Sequence, residues 1–82
     1  MYDIEFSQTA EKQFFKLNRN IQLRIISILE RIRIRPYSSI IKLVGSRYFR
    51  LRAGDYRVIV DVEDSKLLIM VIEIGHRKNI YK

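Results

Sequence analysis

The sequence predicts an α+β domain: an N-terminal strand, then an antiparallel pair of helices packed on one face of a small antiparallel sheet of about four strands. Three observations carry this reading. Tyr2-Asp3-Ile4-Glu5-Phe6 alternates strictly, the period of a half-buried strand. From Ile21 the apolar residues recur instead at the helical period, at Ile21, Ile25, Ile28, Leu29 and Ile32. Beyond Pro36 the chain returns to short apolar or alternating runs separated by turn residues.

Each element follows from its own residues. The first strand buries Tyr2, Ile4 and Phe6. Ser7 or Thr9 then caps a first helix, with Glu11 in its first turn and Ala10, Phe14 and Leu17 as a narrow apolar stripe. Asn18-Arg19-Asn20 breaks that helix and supplies a cap for the next. In the second helix Gln22, Arg24, Arg31 and Arg35 lie away from the apolar face, and Pro36 ends it by disfavouring a helical Arg35. Tyr37-Ser38-Ser39 reads as a loop, Ile40 to Val44 as a short strand, and Gly45-Ser46 as a turn. Glu63 to Lys66 is a polar turn, and Leu67 to Ile74 is apolar almost throughout, so it belongs inside the sheet.

Between these last elements lies Tyr-Phe-Arg-Leu-Arg-Ala-Gly-Asp-Tyr-Arg, Tyr48 to Arg57, which predicts a hairpin turning at Ala53-Gly54-Asp55. Side chains alternate across a strand, so Phe49 and Leu51 share one face and Arg50 and Arg52 the other. A second strand that buries Tyr56, Val58, Val60 and Val62 turns Arg57 to the arginine side. Three guanidinium groups on one face repel one another, and an anion such as a phosphate chain neutralises them. Arg24, Arg31 and Arg35, seven and four residues apart, form a separate basic ridge that contacts RNA or a partner, or is simply solvated.

Composition narrows the function. Eighty-two residues make one domain, 1–82, and 16 Lys plus Arg against nine Asp plus Glu give a formal charge of +7. Such a field favours nucleic acid or an acidic protein. The chain has no cysteine and one histidine, which excludes disulfides, thiolate metal sites and histidine-rich metal sites, and no cofactor is expected. No apolar run reaches the ~20 residues of a membrane span. A cytoplasmic protein is expected.

RNA cleavage without a metal needs an in-line backbone, stabilisation of a dianionic phosphorane and two proton transfers. Arginine suits the charge role, since its fork holds phosphate oxygens bidentately and stays charged. Arg50, Arg52, Arg57 and Arg77 are the candidates. For the protons, His76 has an ordinary pKa of about 6.5; Tyr81, normally about 10, needs its pKa lowered by those cations. Tyr81 is equally suited to stacking on a base. Lys42, Arg47, Lys78 and Lys82 join the helix ridge as contacts to RNA or the ribosome.

Lys42-Leu43-Val44-Gly45, Tyr48 through Arg57, and Gly75-His76-Arg77-Lys78-Asn79-Ile80-Tyr81, in this order behind two short helices, resemble the RelE toxins of the RelE/ParE superfamily. The resemblance runs the length of the chain and is specific mainly in its second half. It implies a toxin that enters the ribosomal A site and cleaves mRNA there without a metal, leaving a 2′,3′-cyclic phosphate and a 5′-hydroxyl. It also implies a RelB-like antitoxin bound in a heteromeric complex, up to a heterotetramer, with DNA contacted only through the antitoxin. Position by position, the basic residues of the first hairpin strand fall on Arg50 and Arg52, the arginine after the turn on Arg57, the basic residue ending the last strand on Arg77 and the C-terminal tyrosine on Tyr81.

One departure matters. Well-studied RelE toxins have lysines where Arg50 and Arg52 stand, one of them assigned as general base, and arginine is never deprotonated in that role. Either Tyr81 or His76 is then the base, or the arginines only position phosphate and stabilise charge. Two other classes remain open: a ParE-like inhibitor of DNA gyrase on the same scaffold, and a basic RNA-binding module without catalysis.

Overall fold

The computed structural model describes residues 1–76. Strand β1 (Asp3–Phe6) leads into helices α1 (Gln8–Phe15) and α2 (Arg19–Ile34); strands β2 (Ile41–Lys42), β3 (Phe49–Ala53), β4 (Tyr56–Glu63) and β5 (Leu68–His76) follow. The strands form one sheet in the order β1-β5-β4-β3-β2. The fold class agrees with the sequence, but the sheet has five strands and is mixed. β1 joins it at the edge, parallel to β5, with Ile4 beside Ile69 and Phe6 beside Val71. β5, β4, β3 and β2 form an antiparallel run, and β1 takes the edge of β5 that this run leaves open.

Local chemistry sets the helix ends. Ser7 is the N-cap of α1, its hydroxyl oxygen accepting from the Ala10 N–H at 3.0 Å, and Asn18 caps α2 through the Ile21 N–H at 3.0 Å. Arg35 leaves helical geometry before Pro36, and the expected loop after it is a single 3-10 turn, Pro36–Ser38. Leu17 lies beyond α1 but still packs on the core. β2 keeps only two of the five residues expected of it.

The helices cover one face of the sheet. Ala10, Phe14, Ile25, Leu29 and Ile32 pack there against Leu51, Ala53, Val58, Val60, Ile69, Val71 and Ile74 in one cluster. β5 is interior, as its apolar run predicts, and it carries an irregularity that decides the faces. Its register slips between the pairs Ile59–Glu73 and Val60–Val71, so Ile72 is an extra residue. Val71 and Ile74, of opposite parity, consequently both reach the core. α1 covers the disturbed stretch: the Ser7 hydroxyl donates to the Ile72 carbonyl at 2.7 Å, and the Gln13 side-chain oxygen accepts from the Ile74 N–H at 2.6 Å. Groups that β1 is too short to pair are satisfied in this way.

At the opposite end of β5, Asp64 ties three segments together. Tyr2 donates to one carboxylate oxygen at 2.6 Å and Tyr37 to the other at 2.8 Å. The start of β1 is also held to α2, the Tyr2 N–H donating to the Arg33 carbonyl and Arg33 Nε to the Tyr2 carbonyl.

Candidate functional site

The sheet face opposite the helices is open, and strand register arranges it in rows. One row reads Ile41, Arg50, Ile59, Glu73, and the next reads Arg52, Arg57, Gly75. Further from the hairpin tip come Asp61, Met70 and Glu5, then Glu63, Leu68 and Asp3. The face is thus polarised, basic near the β3–β4 turn and acidic at the far end. A polyanion is attracted to one half and repelled by the other, which gives it a direction as well as a place.

The hairpin delivers the arginines as its alternation predicts. Ala53 pairs with Tyr56 around the two-residue turn Gly54-Asp55, and Gly54 has the positive φ of 64° that tight hairpin turns call for. This register puts Arg52 directly opposite Arg57 and leaves Arg50 beside Ile59. Arg50 and Arg57 are half-buried and Arg52 is exposed. Among the described residues neither Arg50 nor Arg52 forms an ion pair; Arg52 Nε donates to the Gly54 carbonyl at 3.2 Å. Two adjoining hollows use these side chains. The smaller, about 190 Å³, is lined by Ser39, Ile41, Leu51 and all three arginines; the larger, about 690 Å³, lies between Arg50, Arg57 and the Ile41–Val44 segment.

Other residues singled out from the sequence lie elsewhere. The slip at Ile72 swings His76 out of the arginine face. It pairs with Tyr56 on the helix side, the two rings edge to face at 5.5 Å. Regular alternation from Met70 would have kept His76 beside the arginines, so this bulge is what the sequence did not disclose. Lys42 lies beside Phe49, its ammonium 5.5 Å from the ring centroid, and donates to the Ser46 carbonyl at 2.8 Å. Arg47 is engaged by Asp61 at 3.0 Å. Arg24, Arg31 and Arg35 are exposed on the helix layer, and Arg24 reaches across to the hairpin tip. Arg77, Lys78, Tyr81 and Lys82 lie outside the described residues.

Three carboxylates were missed from the sequence. Asp61 is buried within the apolar β4 run, where alternation alone marks it as facing away from the core. Glu73 is exposed on the open face, in the row next to Arg57. Asp64 looked like an ordinary turn residue. Hydrogen bonds from Tyr2 and Tyr37 hold its carboxyl below the usual range, and the same bond is the main reason that the Tyr37 hydroxyl is raised to about 12. Among the described residues no group of three or more His, Cys, Asp or Glu side chains could hold a metal ion.

Two helices on a five-stranded mixed sheet is an arrangement shared with solved structures of the RelE fold. The RelBE toxin–antitoxin complex of Escherichia coli contains a chain that superposes with a TM-score of 0.83 at 26% identity, covering 93% of this chain and 96% of that one. The RelB–RelE complex of Methanococcus jannaschii gives 0.75 at 28% identity, with 94% of each chain covered. A curated Escherichia coli protein described as a putative RelE-like toxin is 30% identical over 80 residues, 94% of this chain and 84% of its own length. The sequence profile of the ParE toxin of the type II toxin–antitoxin system parDE matches residues 4–81. The chain belongs to the RelE/ParE family of type II toxin–antitoxin toxins. No helix of the described residues is long and apolar enough to cross a membrane.

Proposed function

We propose that this toxin is an mRNA endonuclease acting in the ribosomal A site and stopping translation. The observation that carries the reading is the grouping of Arg50, Arg52 and Arg57 on one open face, with Arg50 and Arg52 uncompensated by any carboxylate among the described residues. In the reaction the 2′-oxygen of the nucleotide attacks the adjacent phosphorus and gives up its proton to a base. The bond to the 5′-oxygen breaks, that oxygen takes a proton from an acid, and a cyclic phosphate and a 5′-hydroxyl remain. Arg50 and Arg57 grip the non-bridging oxygens and stabilise the charge that grows on them, and Arg52 holds the neighbouring phosphate.

Proton transfer is assigned to Tyr81, with Arg77 as a further phosphate ligand, on the family resemblance. His76 stands on the other side of the sheet and is left out of the chemistry. A RelB-like antitoxin is the expected partner, since the similar solved structures include complexes of that kind. The match to the ParE profile supports a second reading, inhibition of DNA gyrase. Comparing Arg57→Ala with the parent protein on programmed ribosomes tests the nuclease assignment. Single-turnover cleavage should fall by about 100- to 1000-fold, the usual cost of losing one charge-stabilising donor, while ribosome binding changes far less. Equal losses in both would reduce Arg57 to docking.

A further inference from the structure

The cationic surface does not stop at the edge of the open face. Arg52 approaches Gly54 from that face, its Nε 3.2 Å from the Gly54 carbonyl oxygen. Arg24 approaches the same residue from α2, in the layer on the opposite face. A Cβ built on Gly54 would lie 2.8 Å from Arg24 Nη1. Two guanidinium groups therefore converge on one glycine of the hairpin turn, and the missing side chain is what admits the second. Among the described residues neither forms an ion pair, although Asp55 is the next residue. Neither charge is compensated by a carboxylate of the described residues, so the hairpin tip attracts an anion.

We infer that Arg24 and Arg52, clasping Gly54, form a second phosphate subsite at the hairpin tip that takes a phosphodiester of single-stranded RNA flanking the cut. The inference rests on the nuclease reading and deepens it. Along β3, Arg50 and Arg52 point to the same face two residues apart, a spacing of roughly 6.6 Å at about 3.3 Å per residue. That spacing suits successive phosphates of an extended strand. Arg24 continues the track round the tip, and Glu5 and Asp3, which form no ion pair among the described residues, disfavour the other direction. Arg24 is thus a binding residue for the strand that leaves the scissile phosphate.

The test is fluorescence anisotropy with a labelled, 2′-O-methylated RNA oligonucleotide, which has no free 2′-hydroxyl to attack, titrated at several salt concentrations. Each phosphate neutralised on a single strand contributes a slope of about −0.7 to log affinity against log salt. Arg24→Ala should flatten the slope by about 0.7, and Arg24→Lys should keep it. Lys12→Ala, an exposed charge on α1, should leave the slope unchanged. A parent-like slope for Arg24→Ala, an equal flattening by Lys12→Ala, or no binding by the parent at low salt would overturn the subsite. The readout needs neither ribosomes nor cleavage. A protein that binds through Arg24 yet cuts nothing sinks the nuclease reading alone; one that cuts on ribosomes with an Arg24-independent slope sinks the subsite alone.

Discussion

Arg52 and Arg57 occupy directly paired positions on β3 and β4, two like charges side by side on an open sheet face. Directly opposed like charges destabilise a sheet, so the pair works against the fold and needs a reason outside it. Arg52→Thr should raise stability by about 0.2–1 kcal/mol, the range of cross-strand pair effects, while lowering cleavage on ribosomes. Urea unfolding beside a single-turnover assay checks both. A variant less stable than the parent would show that the pair contributes to folding instead.

Arg47 and Asp61 make the opposite case. Arg47 lies just before the basic hairpin, yet it covers a carboxylate that keeps 12% of its side-chain surface exposed, against 67% for Arg47. Arg47→Ala strands that carboxylate, at a cost of about 1–3 kcal/mol for an unsatisfied buried group. The expected outcome is a lower urea midpoint with RNA affinity little changed. A large loss of affinity with an unchanged midpoint would return Arg47 to the binding surface.

The Tyr2–Asp64–Tyr37 clasp predicts pH dependence at both extremes. Asp64 titrates lower in the folded protein than its unfolded value of about 3.9. Its contribution is therefore present above that value and lost as pH falls through the depressed folded pKa. Tyr37 is raised to about 12, so its contribution is complete below the unfolded value of about 10 and lost as pH rises through the folded one. Melting temperatures of the parent and of Asp64→Ala should therefore converge toward both extremes and differ most between them. A constant gap across the whole range would mean that the clasp does not titrate with folding.

Ser7 serves two elements with one hydroxyl, accepting from the Ala10 N–H and donating to the Ile72 carbonyl at the bulge. Ser7→Ala removes a helix cap and leaves that carbonyl without its partner, for a loss of about 1–2 kcal/mol. Chemical denaturation reads it directly. A loss below about 0.5 kcal/mol, the low end for a helix cap, would show that water replaces the hydroxyl at both ends.

The strand and helix periods, the caps at Ser7 and Asn18, the stop at Pro36 and the arginine face of the hairpin are all legible in the sequence because each depends on neighbours in the chain. What was not legible depends on distant pairing. The parallel β1–β5 ladder follows from where the path ends, not from any residue in Asp3–Phe6. The slip at Ile72 lies in a run apolar on both faces, where alternation is silent, and it alone moved His76 to the helix side. Arg47, Lys42 and Arg24 look alike as exposed cations; only tertiary neighbours, Asp61, Phe49 and Gly54, separate a structural ion pair from a ring contact and a proposed phosphate ligand.

Under the proposed function the arginine face cuts mRNA on the ribosome. The most direct test is a cleavage map of one mRNA incubated with the purified protein, free in solution and on programmed ribosomes with an empty A site, without added metal. Cuts are expected only on ribosomes, within the A-site codon, ending in a cyclic phosphate. Cuts on the free RNA, or none in either sample, would contradict the proposed function, and the second result would turn attention to supercoiling by gyrase.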